Sequence, residues 1–198
     1  MRNGESESQV ARSKQTNSVL ILETPGSSLC GTQVFSYRLN EKNIITALQA
    51  PGASNLASFV GKPFERIFSN SELFGLLDAL LRAVRRTGKI CSIPFRCDTE
   101  IEKQRLLLTV IPLRGENLNC RIQSLATACR QAPIDFSKCS FLRMCSWCCR
   151  IHHPGEGWKE IEEILQRSTL TSRSADKPLT HTVCEDCAKK IEAAIDEL

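Results

Sequence analysis

Ser69-Asn-Ser-Glu-Leu-Phe-Gly-Leu-Leu-Asp-Ala-Leu-Leu-Arg-Ala-Val-Arg-Arg-Thr-Gly88 is the stretch whose reading decides the fold. Leu73, Leu76, Leu77, Leu80, Leu81 and Val84 recur at the three- and four-residue spacing that lines one face of an α-helix. Ser69-Asn-Ser-Glu72 has the form of a capping box at its start. Arg82, Arg85 and Arg86 suit the negative end of the helix dipole, and Gly88 supplies a stop. The arginines therefore read as a solvated helix end.

Working outward, the period changes on both sides. Upstream, Thr32 to Leu39 and Ile44 to Leu48 alternate about the polar turn Asn40-Glu-Lys-Asn43, which predicts a hairpin. Short pieces follow, broken by Val60-Gly-Lys-Pro63. Downstream, Ile90 to Arg96, Arg105 to Leu113 and Leu118 to Leu125 read as three strands. Two strands, short helices, one longer helix and three strands give an α+β class: a five-stranded antiparallel sheet with helices on one face. The first residues are polar and aperiodic, so residues 1–30 read as a mobile segment.

The C-terminal part has a different logic. Cys145-Ser-Trp-Cys148 and Cys184-Glu-Asp-Cys187 are two chelating half-sites that together supply a four-sulfur shell with no open position, the pattern of structural zinc. The 35 residues between Cys148 and Cys184 exceed the spacing of compact zinc ribbons. His181, three residues before Cys184, is the rival ligand, its other reading being a donor that orients a thiolate. Eleven cysteines is an odd count that cannot pair completely within one chain, and the chain shows neither an export signal nor an apolar run of membrane-spanning length. A cytoplasmic protein with reduced thiols is the expectation. Cys30, Cys91, Cys120, Cys129 and Cys139 show no ligand spacing and read as small buried hydrophobes.

The net charge of +4 is unevenly spread: from Asp135 onward there are nine Lys/Arg against eleven Asp/Glu, leaving seventeen against eleven before it. An acidic zinc module and few aromatic side chains argue against nucleic acid as a partner. Cys97 and Asp98 invite a nucleophile reading, but no histidine precedes His152 to act as base, which argues against catalysis and for a non-enzymatic protein. His152 and His153, before Pro154-Gly155, read as exposed turn residues. Trp158, Ile161, Ile164 and Leu165 form one apolar stripe, and Ala188, Ile191, Ile195 and Leu198 form another on a C-terminal helix beginning near Cys184.

The order of elements, with Val60-Gly-Lys-Pro-Phe64 before the helix and Val84-Arg-Arg-Thr-Gly88 after it, resembles a PAS domain, a sensory module of bacterial signalling proteins. Ile93-Pro-Phe-Arg-Cys-Asp98, Met144-Cys-Ser-Trp-Cys148, Gly157-Trp158, Glu160-Ile-Glu-Glu163 and Leu179-Thr-His-Thr-Val-Cys-Glu-Asp-Cys187 resemble, in order, a subgroup of bacterial PAS proteins with a Phe-Arg-Cys-Asp strand and a C-terminal Cys-x-x-Cys module. The resemblance implies a PAS-like sensory domain at 31–130, a linker at 131–142 and a small, zinc-stabilised helical module at 143–198.

It implies a signalling or regulatory role through a protein partner or a homodimer, with a small-molecule ligand in the PAS pocket as a further possibility. Neither haem nor flavin is expected: residues 31–130 contain no histidine to hold haem iron. The alternative function is a thiol redox sensor, in which oxidation of the Cys-x-x-Cys thiolates releases zinc, with Cys139 and Cys149 as resolving thiols.

Overall fold

The computed structural model describes residues 33–50, 54–68, 70–132, 134, 143–167 and 180–198. The N-terminal segment 1–30, most of the 131–142 stretch, and with them Cys30 and Cys139, lie outside the described residues.

The alternating segments form the predicted hairpin. β1 (Gln33–Leu39) pairs antiparallel with β2 (Ile45–Gln49), and Asn40 closes the turn by accepting the backbone N–H groups of Lys42 and Ile44 on its side-chain oxygen. Two 3₁₀ turns, Ser54–Phe59 and Phe64–Ile67, lead into α1 (Ser71–Thr87). β3 (Cys91–Arg96), β4 (Glu102–Pro112) and β5 (Leu118–Cys129) follow. All five strands form one antiparallel sheet in the order β2-β1-β5-β4-β3.

α1 ends as its sequence predicts, with Gly88 at a left-handed φ of 67° and its N–H returned to Val84. Its start differs by one residue. Asn70 is the cap, accepting from the N–H groups of Glu72 and Leu73, which puts Glu72 at the second helical position and not at the third that a capping box uses. The Glu72 carboxylate is engaged elsewhere, on Thr182 and Val183.

The buried stripe of α1, Leu73, Leu77, Leu80, Leu81 and Val84, lies over the inner face of the sheet, where Leu39, Ile45, Leu106, Val110 and Leu118 are shut off from solvent. Burial of each such side chain is worth about 1.5–3 kcal/mol. Stacked and tilted rings of Tyr37, Phe64, Phe68 and Phe74 fill the end nearest the 3₁₀ turns. Arg85 is an exception to the solvated helix end. It donates to the carbonyls of Asn40 and Glu116 and to the Asn43 side chain, fastening α1 to two turns of the sheet.

The C-terminal part is mixed in structure, which corrects the expectation of a helical module. β6 (Arg143–Cys145), β7 (Ile151–His153) and β8 (Gly157–Lys159) form an antiparallel meander, and β9 (Thr180–Thr182) joins β6 in parallel. Each strand has three residues, too few for a period-two pattern to emerge. Gly155 and Gly157, at φ of 83° and 76°, take the left-handed conformations that return β7 to β8. His152 and His153 accordingly sit half-buried on β7 and not on an exposed turn, with the His152 ring edge-on to Trp158.

α2 (Ile161–Arg167) and α3 (Glu185–Asp196) complete the chain. Ile161 and Ile164 join Ile134 and Ile151 in a small second core. α3 instead packs on α1, so Cys145, Trp147, Val183 and Ile191 belong to the same apolar cluster as α1 and the large sheet.

Candidate metal centre

The two cysteine pairs approach from different elements. Cys145 ends β6, and the chain then turns back on itself: the Cys149 N–H donates to the Cys145 carbonyl at 2.9 Å and the Cys145 N–H to the Arg150 carbonyl at 2.8 Å. Cys149 takes a left-handed φ of 59° to close this knuckle. The parallel pairing of β6 with β9 sets Cys145 beside Thr182, two residues before Cys184. Cys184 caps α3 and Cys187 lies in its first turn, where the helix dipole favours a thiolate.

The four sulfurs all lie within 4.8 Å of one another, and Cys148 and Cys184 are 3.8 Å apart. Four thiolates at about 2.3 Å from a tetrahedral cation have sulfurs about 3.8 Å apart, so the arrangement fits a metal ion bound by four cysteines. Cys145, Cys184 and Cys187 are buried and Cys148 is half-buried. No His181 nitrogen belongs to the group. His181 is half-buried on β9 opposite Met144, and burial lowers its pKa.

The sulfurs have donors of their own. Cys145 Sγ accepts from the N–H groups of Trp147 at 3.4 Å and Cys184 at 3.3 Å, and Cys148 Sγ from Arg150 Nε at 3.4 Å. Hydrogen bonds from the Cys145 and Cys187 thiols, with Arg150 adding to them, hold Cys148 well below the ordinary thiol range. Burial pushes Cys184 up to about 11, and donation to Cys145 and Cys148 raises Cys187. Cys184 and Cys187 are thus held towards the protonated thiol, beside a Cys148 held towards the thiolate. A divalent cation is what allows the others to ionise in so confined a space, and Arg150 offsets part of the resulting negative charge.

Cys149 stands apart from this group. Its thiol donates to the Arg96 carbonyl at 3.5 Å, and burial raises its pKa. A half-buried thiol held towards its protonated form has little of the thiolate character of a resolving cysteine. Cys91 and Cys120 are buried as the spacing argument expects, and burial pushes the Cys120 thiol up to about 12. Cys129 differs: β5 runs on past Leu125, and Cys129 is exposed at its end. Cys97 is half-buried at the end of β3, where its N–H donates to the Gln104 carbonyl.

The knuckle is seated on the large sheet and α1. The Arg96 N–H donates to the Trp147 carbonyl at 2.9 Å, the Phe95 and Trp147 rings lie 5.3 Å apart, and Asn70 donates to the Ser146 hydroxyl at 3.3 Å. Glu72 accepts from the Thr182 hydroxyl at 2.7 Å and the Val183 N–H at 3.0 Å. Two N–H groups of the sheet and module thus meet partners across the junction, and so does the first acidic group of α1.

Ion pairs fix the other side of the junction. The Asp98 side chain is 2% exposed and pairs with that of Arg130, itself 1% exposed, at 2.8 Å. Asp98 also pairs with Arg96, which reaches Glu160 at 2.7 Å, while Lys103 bridges Glu160 at 3.2 Å and Glu162 at 3.0 Å, and Arg130 pairs with Glu162. The Phe-Arg-Cys-Asp stretch is therefore a grip on the metal-site half of the chain. Sequence reasoning missed both this network and the Glu72 contact, because their partners, Arg96 and Asp98 apart, lie 32 to 111 residues from one another. The available signal was Arg96 and Asp98 on one side of a strand end, with the alternating acids Glu160 and Glu162 downstream.

Comparison of the chain with protein-family models, curated proteins and solved structures finds no match.

Proposed function

We propose that the protein is a non-enzymatic bacterial signalling or regulatory protein, in which a PAS-like unit is joined to a structural zinc module and acts through a partner protein. The observation that carries the reading is the four-sulfur group itself. Its donors occupy all four tetrahedral positions, which leaves none for a substrate, and thiolate-only coordination suits zinc. The order of two strands, short helices, a longer helix and three strands, closed into one antiparallel sheet, supports the PAS-like part. Among the described residues no helix is long and apolar enough to cross a membrane.

Seating of the knuckle on β3 and the α1 N-terminus supports a module that reports on, or stabilises, the sheet unit. Zinc quantitation on protein purified without chelator tests the reading, and one zinc per chain is expected. Cobalt substitution should give the intense visible bands of tetrahedral thiolate coordination. Stoichiometric absence of metal would remove the zinc module. The same protein treated with mild peroxide should keep its zinc, whereas release accompanied by thiol loss would favour the redox-sensor alternative.

A further inference from the structure

The outward face of the five-stranded sheet, away from α1, holds a charge pattern that neither the fold nor the metal site uses. Cross-strand register sets its rows. Arg38 pairs with Asn119, which pairs with Ile111; Arg121 lies between Ser36 and Thr109; Leu107 pairs with Pro94; and Arg105 pairs with Arg96.

From the Arg38 row to the Arg105 row, no outward position carries a carboxylate or an aromatic ring. Arg38, Arg105 and Arg121 are exposed, and none has an ion-pair partner among the described residues. Leu107 and Ile111 lie half-buried among them, and Pro94 is exposed.

The same face shows how it takes an occupant. At its far end the basic groups of Arg96 and Lys103 are met by Glu160 and Glu162 at the start of α2. An acidic helix start of this chain thus already covers one end of a face whose remaining arginines have no ion-pair partner among the described residues.

We propose that this face docks an acidic segment of a partner protein, with carboxylates meeting Arg38, Arg105 and Arg121 and apolar side chains meeting Leu107 and Ile111. Charge complementarity selects the occupant. Nucleic acid fits less well, since the face offers no ring for a base to stack on. The inference does not rest on the metal.

The test uses the full chain and a fluorescein-labelled synthetic peptide of repeated Glu-Glu-Leu triplets, with a Lys-Lys-Leu peptide and a labelled oligothymidylate alongside, read by anisotropy. The acidic peptide should bind, and the Arg38→Ser/Arg105→Ser/Arg121→Ser variant should bind it about tenfold or more weakly, the scale of losing several exposed charge contacts. A variant with the same charge loss at other exposed sites, Lys42→Ser/Arg66→Ser/Lys190→Ser, should keep its affinity. Arg121→Ser alone should give a partial loss, which keeps the test decisive if the triple variant folds poorly. No binding of the acidic peptide, or equal weakening in both triple variants, overturns the proposal. So does oligothymidylate binding more tightly through the same arginines, or a wild-type dimer that the face variant makes monomeric.

Discussion

The large sheet with α1 and the cysteine module lie in one continuous core, yet they are specified in contrasting ways. The sheet unit is built from long periodic elements, a 17-residue helix and strands of up to 12 residues, whose apolar sides face each other. The module has three-residue strands, a seven-residue helix, a second core of four buried isoleucines, and one 12-residue helix whose apolar side lies on α1 and not on the module's own elements. Few apolar contacts of its own can offset the conformational entropy of ordering so short a set of elements. Sulfurs, buried ion pairs and the borrowed surface of α1 make up the difference. With the proposed zinc in place, a small module of this kind would depend on its metal and on its neighbour, while the neighbour depends chiefly on burial.

Breaking the metal shell should therefore have the largest effect. Structural zinc contributes on the order of 10 kcal/mol or more to folding in small zinc-binding peptides, so Cys184→Ser should release the metal and disorder the module. Zinc content falling below one per chain, with hydrogen exchange accelerated over residues 143–198, is the expected result. Exchange in β4 and β5 should remain slow. Slow exchange retained across α3 after metal loss would show that packing on α1 suffices.

The buried ion pair ranks next. Asp98→Asn keeps the shape but leaves the Arg130 side chain, 1% exposed, beside a neutral partner. Removing one member of a buried pair costs about 3–5 kcal/mol, and urea denaturation should read a loss in that range. A change below about 1 kcal/mol would mean that Glu162 alone satisfies Arg130.

Leu77→Ala attacks the other side of the comparison. Leu77 is 4% exposed in the middle of the α1 stripe, and such truncations cost about 2–5 kcal/mol. Zinc stoichiometry should not change. Metal loss together with the stability loss would mean that α1 is needed to hold the cysteine ligands.

The same contrast explains what could be read in advance. Leu73 to Val84 announces α1, and alternation announces the five strands, because long elements repeat their pattern several times. Cys145, Cys148, Cys184 and Cys187 were legible for another reason: chelation demands a fixed local spacing, visible without the fold. Strands β6 to β9 were not legible, since three residues cannot display a period. Nor was the role of Glu72, which looks like a capping-box acid in its own neighbourhood and serves instead the end of β9, 110 residues away. Asp98, Arg130 and Glu160 show the same limit, being ordinary surface residues until the fold places them together.

Acid should separate the two regions with the smallest effect. At Glu160 burial acts to raise the pKa, but hydrogen bonds and charge from Arg96 and Lys103 outweigh it and lower the value. Glu162 follows the same pattern, with burial opposed by its own backbone hydrogen bond and by Lys103 and Arg130. A carboxylate whose folded pKa is depressed contributes stability that is present above its unfolded pKa, near 4.5, and lost as pH falls through the folded value. The junction held by α2 should accordingly loosen below about pH 4.5, with the contribution intact at neutral pH. Thiolate protonation also weakens metal binding in acid, so the comparison needs a control that leaves the cysteines alone. In Glu160→Gln/Glu162→Gln the shared sulfur chemistry persists, and the acid limb of the stability curve should become shallower than in the parent chain. Identical limbs in the two proteins would assign the acid sensitivity to the metal centre and leave the ion network without a measurable share.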